Sequence, residues 1–263
     1  MLAGRRKASA KLGDDVTLSR FIKTPGAVRT RVRQLNLDTR HSALMNAHTL
    51  FPRQVKKPSD IRALLVSGHS NAKIGRDVRK GKFRGYWIYT LSLEERATCP
   101  RSCHHWSDCY GNHMPWAKRV DHTDPTFLPR LEREVEDLLA IRGRAGILVR
   151  LHALGDFYSV DYVRFWRMLL MRHKRLALYG YTAREPDGDI GWAVRGLAAD
   201  FRERAMIRFS NAKWPVMATV PITTPEQCPP NAFVCPEQTG RTRACATCAA
   251  CWATRKNVAF IAH

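Results

Sequence analysis

The chain has 263 residues, 44% of them hydrophobic, and carries 44 lysines and arginines against 23 aspartates and glutamates, a formal net charge of +21. That hydrophobic share excludes a disordered or fibrous polymer and suffices for one sizeable core. No run approaches the roughly 18 apolar residues of a membrane span, and Arg5, Arg6, Lys7 and Lys11 are not followed by the apolar stretch of a secretory leader.

Residues 1–60 hold thirteen Lys and Arg against four Asp, which predicts a basic arm with at most short helices. Within it Arg5, Arg6, Lys7 and the alternating Arg29, Arg31 and Arg33 are candidates for contacts with phosphates. Alternate residues of an extended segment share one side. Residues 61–263 form the expected α/β domain, with a cysteine-rich segment at 228–263. A short apolar run covers 61–67, and the aromatic, β-branched stretch 86–91 predicts a strand. Thr126 is placed to cap a helix with Leu131, Val135, Leu138 and Leu139 on one face, and Gly143 to stop it. A strand follows at 147–151, ending in the turn Gly155-Asp156. Ser159 opens a helix bearing Val163, Trp166 and Leu170. A strand at 176–182, a helix at 189–201, a strand at 206–210 and a further strand at 218–222 complete the alternation. Strands separated by helices of ten to sixteen residues predict βαβ units: a partial (β/α) barrel or an open, mainly parallel sheet. Ligand chemistry then belongs at the carboxyl ends of the strands.

Two cysteine groups lie in that frame. Cys99, Cys103 and Cys109 fall within eleven residues, directly after the strand at 86–91. Cys228, Cys235, Cys245, Cys248 and Cys251 crowd the C-terminal segment and end in two successive Cys-x2-Cys steps. The expected compartment is the cytoplasm, where thiols stay reduced, so eight cysteines read as metal ligands rather than as a disulfide framework. Tight consecutive spacing favours iron–sulfur clusters, [4Fe–4S] in type and one or two in number. Zinc is the alternative, kept open by His104, His105 and His113. Eight thiols match two four-cysteine clusters, but they divide three and five. Either a C-terminal cysteine crosses to the first site, or that site keeps an iron without a protein thiolate.

Several features together resemble the phage "gene product 88" family: the Cys99-Pro opening, the Cys109-Tyr110 ending, the Gly155-Asp156-Phe157 turn, the strand Tyr179-Gly-Tyr181-Thr182, the tail Cys235-Pro-Glu-Gln with Cys245, Cys248, Cys251 and Trp252, and Phe260-x-x-His263. The resemblance covers roughly 85–263 and implies a phage or mobile-element origin. More distantly, the order strand, three-cysteine loop, helix, strand, Gly-Asp turn looks like the radical S-adenosylmethionine enzymes. That likeness implies a radical-SAM-like architecture, an open iron at the first site, Gly155 and Asp156 as cofactor-binding residues, and an auxiliary cluster on the C-terminal cysteines. The sequence departs from that pattern in the five residues between Cys103 and Cys109 and in Asp108, which stands where an aromatic residue is usual.

The charge excess costs self-repulsion in a compact chain and is expected where the partner is a polyanion, nucleic acid being the commonest. The reading is therefore an iron–sulfur protein that binds nucleic acid, DNA before RNA, with a structural or redox-sensing cluster and no membrane partner. Two alternatives stand beside it. One is a radical-SAM-like enzyme acting on nucleic acid, which leaves open whether the chain is an enzyme. The other is a zinc-stabilised nucleic-acid module. Oligomeric state is not legible.

Overall fold

The computed structural model describes residues 35–210 and 217–262. The chain runs α1 (Ser42–Met45), β1 (Val55–Lys56), β2 (Val66–Ser67), β3 (Trp87–Ser92), β4 (Arg119–Val120), α2 (Phe127–Arg142), β5 (Ile147–Leu154), α3 (Val160–Arg172), β6 (Leu176–Thr182), α4 (Asp189–Asp200), β7 (Ala205–Ser210), β8 (Ala218–Ile222), β9 (Ala232–Val234), α5 (Cys245–Cys248), α6 (Ala250–Ala253) and β10 (Asn257–Ile261). Among the described residues no helix is long and apolar enough to cross a membrane.

The main sheet has the order β2-β3-β5-β6-β7-β8-β10-β9. Every neighbouring pair is parallel except β2 with β3. β4 pairs with β1 in a separate two-stranded sheet, and within the main sheet the strands β3, β5, β6, β7 and β8 lie side by side in chain order, so the sheet winds in one direction without reversal. Right-handed crossovers then put the connecting helices on a single face. The packing agrees: Leu131 and Val135 of α2, Trp166 and Leu170 of α3, and Val194 and Leu197 of α4 share one core with Ile147, Val149, Leu178 and Ile207. The other face, with Leu148, Ala177, Tyr179 and Met206, is covered by Ile74, Val78 and Phe83 and by Ala246, Ala249 and Trp252 of the cysteine-rich tail. With both faces covered, the strands read as near-continuous apolar runs. The expected open, mainly parallel sheet is what forms. Among the described residues it does not close into a barrel.

Two helix starts were legible in different degrees. Ser159 caps α3, its hydroxyl accepting from Tyr162 N at 3.1 Å. Thr126 does not cap α2: it already has helical dihedrals, and Asp124 Oδ1 accepts from both its amide (2.9 Å) and its hydroxyl (2.6 Å). The aspartate thus takes the role in the turn expected of the threonine.

His152 sits on β5, 6% exposed, with Nε2 3.0 Å from the Tyr162 hydroxyl. Burial pushes its imidazole pKa down to about 3. An unfolded histidine, with a pKa near 6.5, takes up a proton that the folded one refuses. Stability present above about pH 6.5 is therefore lost as the pH falls toward 3, by about 2 kcal/mol on reaching about pH 5. Denaturant midpoints measured across this range should fall steeply for the native chain and less for His152→Gln. Equal slopes would contradict this account of His152.

Candidate metal centre

The parallel strands β3 and β5 end together, Leu93 N donating to Leu154 O at 2.9 Å. Beyond that point one chain enters the three-cysteine loop and the other turns at Gly155. This turn needs glycine twice over. Its φ is +84°, and a Cβ would stand 2.6 Å from Thr98 Oγ1 and 2.7 Å from Leu93 Cβ. The buried Thr98 hydroxyl donates to Glu94 O (2.7 Å) and accepts from Asp156 N (3.1 Å). Asp156 accepts from Phe157 N at 2.7 Å and, through its other oxygen, from Ala183 N at 2.8 Å. Arg184, just after β6, donates to Phe157 O (2.7 Å) and Thr98 O (2.6 Å). The carboxyl ends of β3, β5 and β6 are thereby fastened to one another. Gly155→Ala should cost about 1–3 kcal/mol, the usual cost of forcing a side chain into this backbone region. Thermal melting would show it, and an unchanged midpoint would remove the requirement.

Cys99, Cys103 and Cys109 come within electrostatic reach of one another, and Asp156 acts on both Cys99 and Cys103. Burial pushes the Cys109 thiol up to about 12 and raises Cys103 and, further, Cys99. Backbone hydrogen bonds oppose it: with His105 at Cys103, Gly111 at Cys109 and Arg96 at Cys99. Asp156 is itself raised to about 6 by burial, against the hydrogen bonds from Ala183, Thr182 and Phe157. A metal bound by thiols raised in this way would have to displace their protons, so that binding and proton release would be one event. Among the described residues no three His, Cys, Asp or Glu side chains stand close enough to hold a metal ion as placed. Of the histidines, His113 Nε2 accepts from Leu35 N (2.9 Å) and His105 pairs with Asp108 (3.1 Å).

The loop is braced by charges the sequence reading did not single out. Arg119 grips Glu95 bidentately at 2.7 and 2.8 Å, with the two side chains 0% and 1% exposed. It also donates to Gly111 O (3.2 Å) and Met114 O (3.0 Å). Arg96 donates to Trp106 O (3.0 Å) and to Asn112 Oδ1 (2.7 Å), and Asn112 donates to Leu35 O and Ser107 O, both at 3.0 Å.

In the tail, Cys235, Cys245 and Cys251 lie within electrostatic reach of one another, and hydrogen bonds from the backbone of Glu237 and Gln238 act on the Cys235 sulfur. Burial pushes Cys245 up to about 12. The turn α5 docks through Cys245 N to Lys73 O and Ala246 N to Ile74 O, each 2.8 Å. The Tyr181 hydroxyl donates to Cys251 Sγ at 3.1 Å, and the fully buried Arg208 donates to Cys251 O at 2.6 Å. Cys228 Sγ contacts Pro229 O at 3.7 Å, and Cys248 lines a surface groove. Arg150 of β5 interacts electrostatically with Tyr110 of the first loop and with Cys245 of the tail. The signal for Arg150 and Arg208 was present in the sequence: each is a lone charge inside an apolar strand. The candidate phosphate contacts Arg5, Arg6, Lys7, Arg29, Arg31 and Arg33 lie outside the described residues.

Comparisons with curated proteins and with solved structures give no significant match. Residues 63–188 do match a known family. That span contains Cys99, Cys103, Cys109, Gly155 and Asp156 and stops before the C-terminal cysteines. Over it, this chain is similar to the phage Gene product 88 family.

Proposed function

We propose that this chain is an iron–sulfur protein that binds DNA, of phage or mobile-element type. The observation that supports it best is the place of Cys99, Cys103 and Cys109 on one loop, directly after β3 and beside the end of β5, with backbone hydrogen bonds directed at each sulfur. Hydrogen bonds to sulfur favour the thiolate form that ligates metal and tune a cluster's potential. Cys99, Cys103 and Cys109 would hold one cluster; Cys235, Cys245 and Cys251, with Cys228 and Cys248, supply the thiols for a second. A [4Fe–4S] cluster bound there supplies a cross-link between distant loops and a charge that changes with redox state. The net charge of +21 supports a polyanionic partner.

Anaerobically purified protein should be brown and contain iron and acid-labile sulfide. Colourless protein with stoichiometric zinc would replace the iron reading by the zinc-stabilised module. A second reading is favoured by one observation. The cysteine loop and the Gly155-Asp156 turn follow adjacent parallel strands, and Asp156 acts on Cys99 and Cys103. That reading is a radical-SAM-like enzyme acting on nucleic acid, with Gly155 and Asp156 at the cofactor. Reductive cleavage of S-adenosylmethionine by the reduced protein would establish it, and its absence with an intact cluster would leave the binding protein.

A further inference from the structure

The tail and the segment before β3 enclose an open groove of about 570 Å3, lined by Lys80, Phe233, Pro236, Arg241, Thr242 and Cys248 among others. One side belongs to a hairpin closed by Val78 N to Tyr86 O and Gly85 N to Val78 O, both 2.9 Å. Arg79 N donates to Ala246 O at 2.9 Å and fixes that hairpin to the cysteine-rich segment. Residues 71–84 carry six basic side chains, Lys73, Arg76, Arg79, Lys80, Lys82 and Arg84, and one acid, Asp77. Asp77 is occupied by Arg76 and Arg79, Glu237 by Lys73, and Glu203 by Lys82. Among the described residues Lys80, Arg84, Arg241 and Arg243 have no acidic partner, and all four are exposed. Two of these cations, Lys80 and Arg241, line a groove that also contains the ring of Phe233.

We propose that this groove binds a single strand of nucleic acid, with phosphates on Lys80 and Arg241 and a base against Phe233. The inference rests on the nucleic-acid reading above and locates it on the folded domain, apart from the N-terminal arm. A single strand exposes base faces that stack on aromatic side chains, while cations follow its backbone. A duplex would meet only the rim of the groove.

The test uses the full chain, purified anaerobically, with fluorescent oligo-dT, oligo-rU and a mixed-sequence duplex over a range of salt. Lys80→Glu/Arg241→Glu should weaken single-strand binding on the order of tenfold or more and flatten the log–log salt slope by about 1.4, two single-strand phosphate contacts. Lys80→Gln/Arg241→Gln adds no new charge and should show the same loss of slope. Phe233→Ala should weaken binding without changing the slope. Arg133→Glu/Arg144→Glu, on and just after α2, makes the same change in net charge and should leave binding as it was. Stronger binding of oligo-dT or of oligo-rU identifies the source of the strand. If the native chain binds single strands and the groove variants bind equally well, the groove is overturned while nucleic-acid binding stands. Equal losses in the α2 control would reduce the effect to net charge and also overturn it. If the native chain binds neither strand nor duplex at low salt, the nucleic-acid reading falls and the groove with it.

Discussion

Serine in place of Cys99, Cys103 or Cys109 is expected to abolish metal at the first site and to lower the yield of soluble protein sharply. Serine at Cys245, Cys248 or Cys251 should do the same at the second. The cause is linkage. Cys99, Cys103 and Cys109 are partly exposed thiols on a loop outside the helices and strands of the main sheet. A cross-link that binds the folded loop and not the unfolded one adds its binding free energy to folding, on the order of 10 kcal/mol for a tightly held structural metal. Iron, sulfide and zinc content of each purified variant checks this directly. Single variants in both groups that retain the full metal content and solubility of the native protein would end the assignment.

The second large effect is expected at Glu95 and Arg119. This pair is out of water on both sides, and Glu95 also accepts from the Thr49 hydroxyl at 2.7 Å, which ties the loop to the segment before β1. Removing one partner leaves an uncompensated buried charge, which typically costs about 3–5 kcal/mol. Arg119→Met and Glu95→Gln should each destabilise on that scale, and the Glu95→Gln/Arg119→Met double variant should lose less than the two added together. Denaturant unfolding of all three variants gives the coupling. Additive losses would mean that the pair does not act as a unit. Because Arg119 also holds the carbonyls of Gly111 and Met114, its loss should loosen the cysteine loop before it reaches the sheet.

The central strands and their helices were readable because each declares itself locally. β6 and β8 fall on the predicted 176–182 and 218–222, and α2 and α3 carry their apolar residues at helical spacing. β9 and β10 were not readable. Ala-Phe-Val at 232–234 stands between Pro229-Pro230 and Cys235-Pro236, and 257–261 follows two cysteine steps. These two strands exist because each finds a partner, β8 for β10 and β10 for β9. The cysteines and the Gly-Asp turn were visible as motifs. What holds them was not, because Thr98 acquires meaning from Asp156, 58 positions away, and Arg184 from Thr98, 86 away. A hydroxyl or guanidinium in a list of residues does not name its partner; the sheet does, by bringing three strand ends to one place.

The open sheet has rims, and their lengths matter for life at high concentration. The strand at one end, β2, has two residues, and the one at the other, β9, has three. Prolines at 229, 230 and 236 bracket β9 and cannot donate to a ladder. An incoming extended chain would find room for only a few backbone bonds at either rim, too few to offset the entropy of being held. A winding that could have closed into a barrel, and did not, is thus kept from templating the assembly of its own copies by the shortness of its last strands.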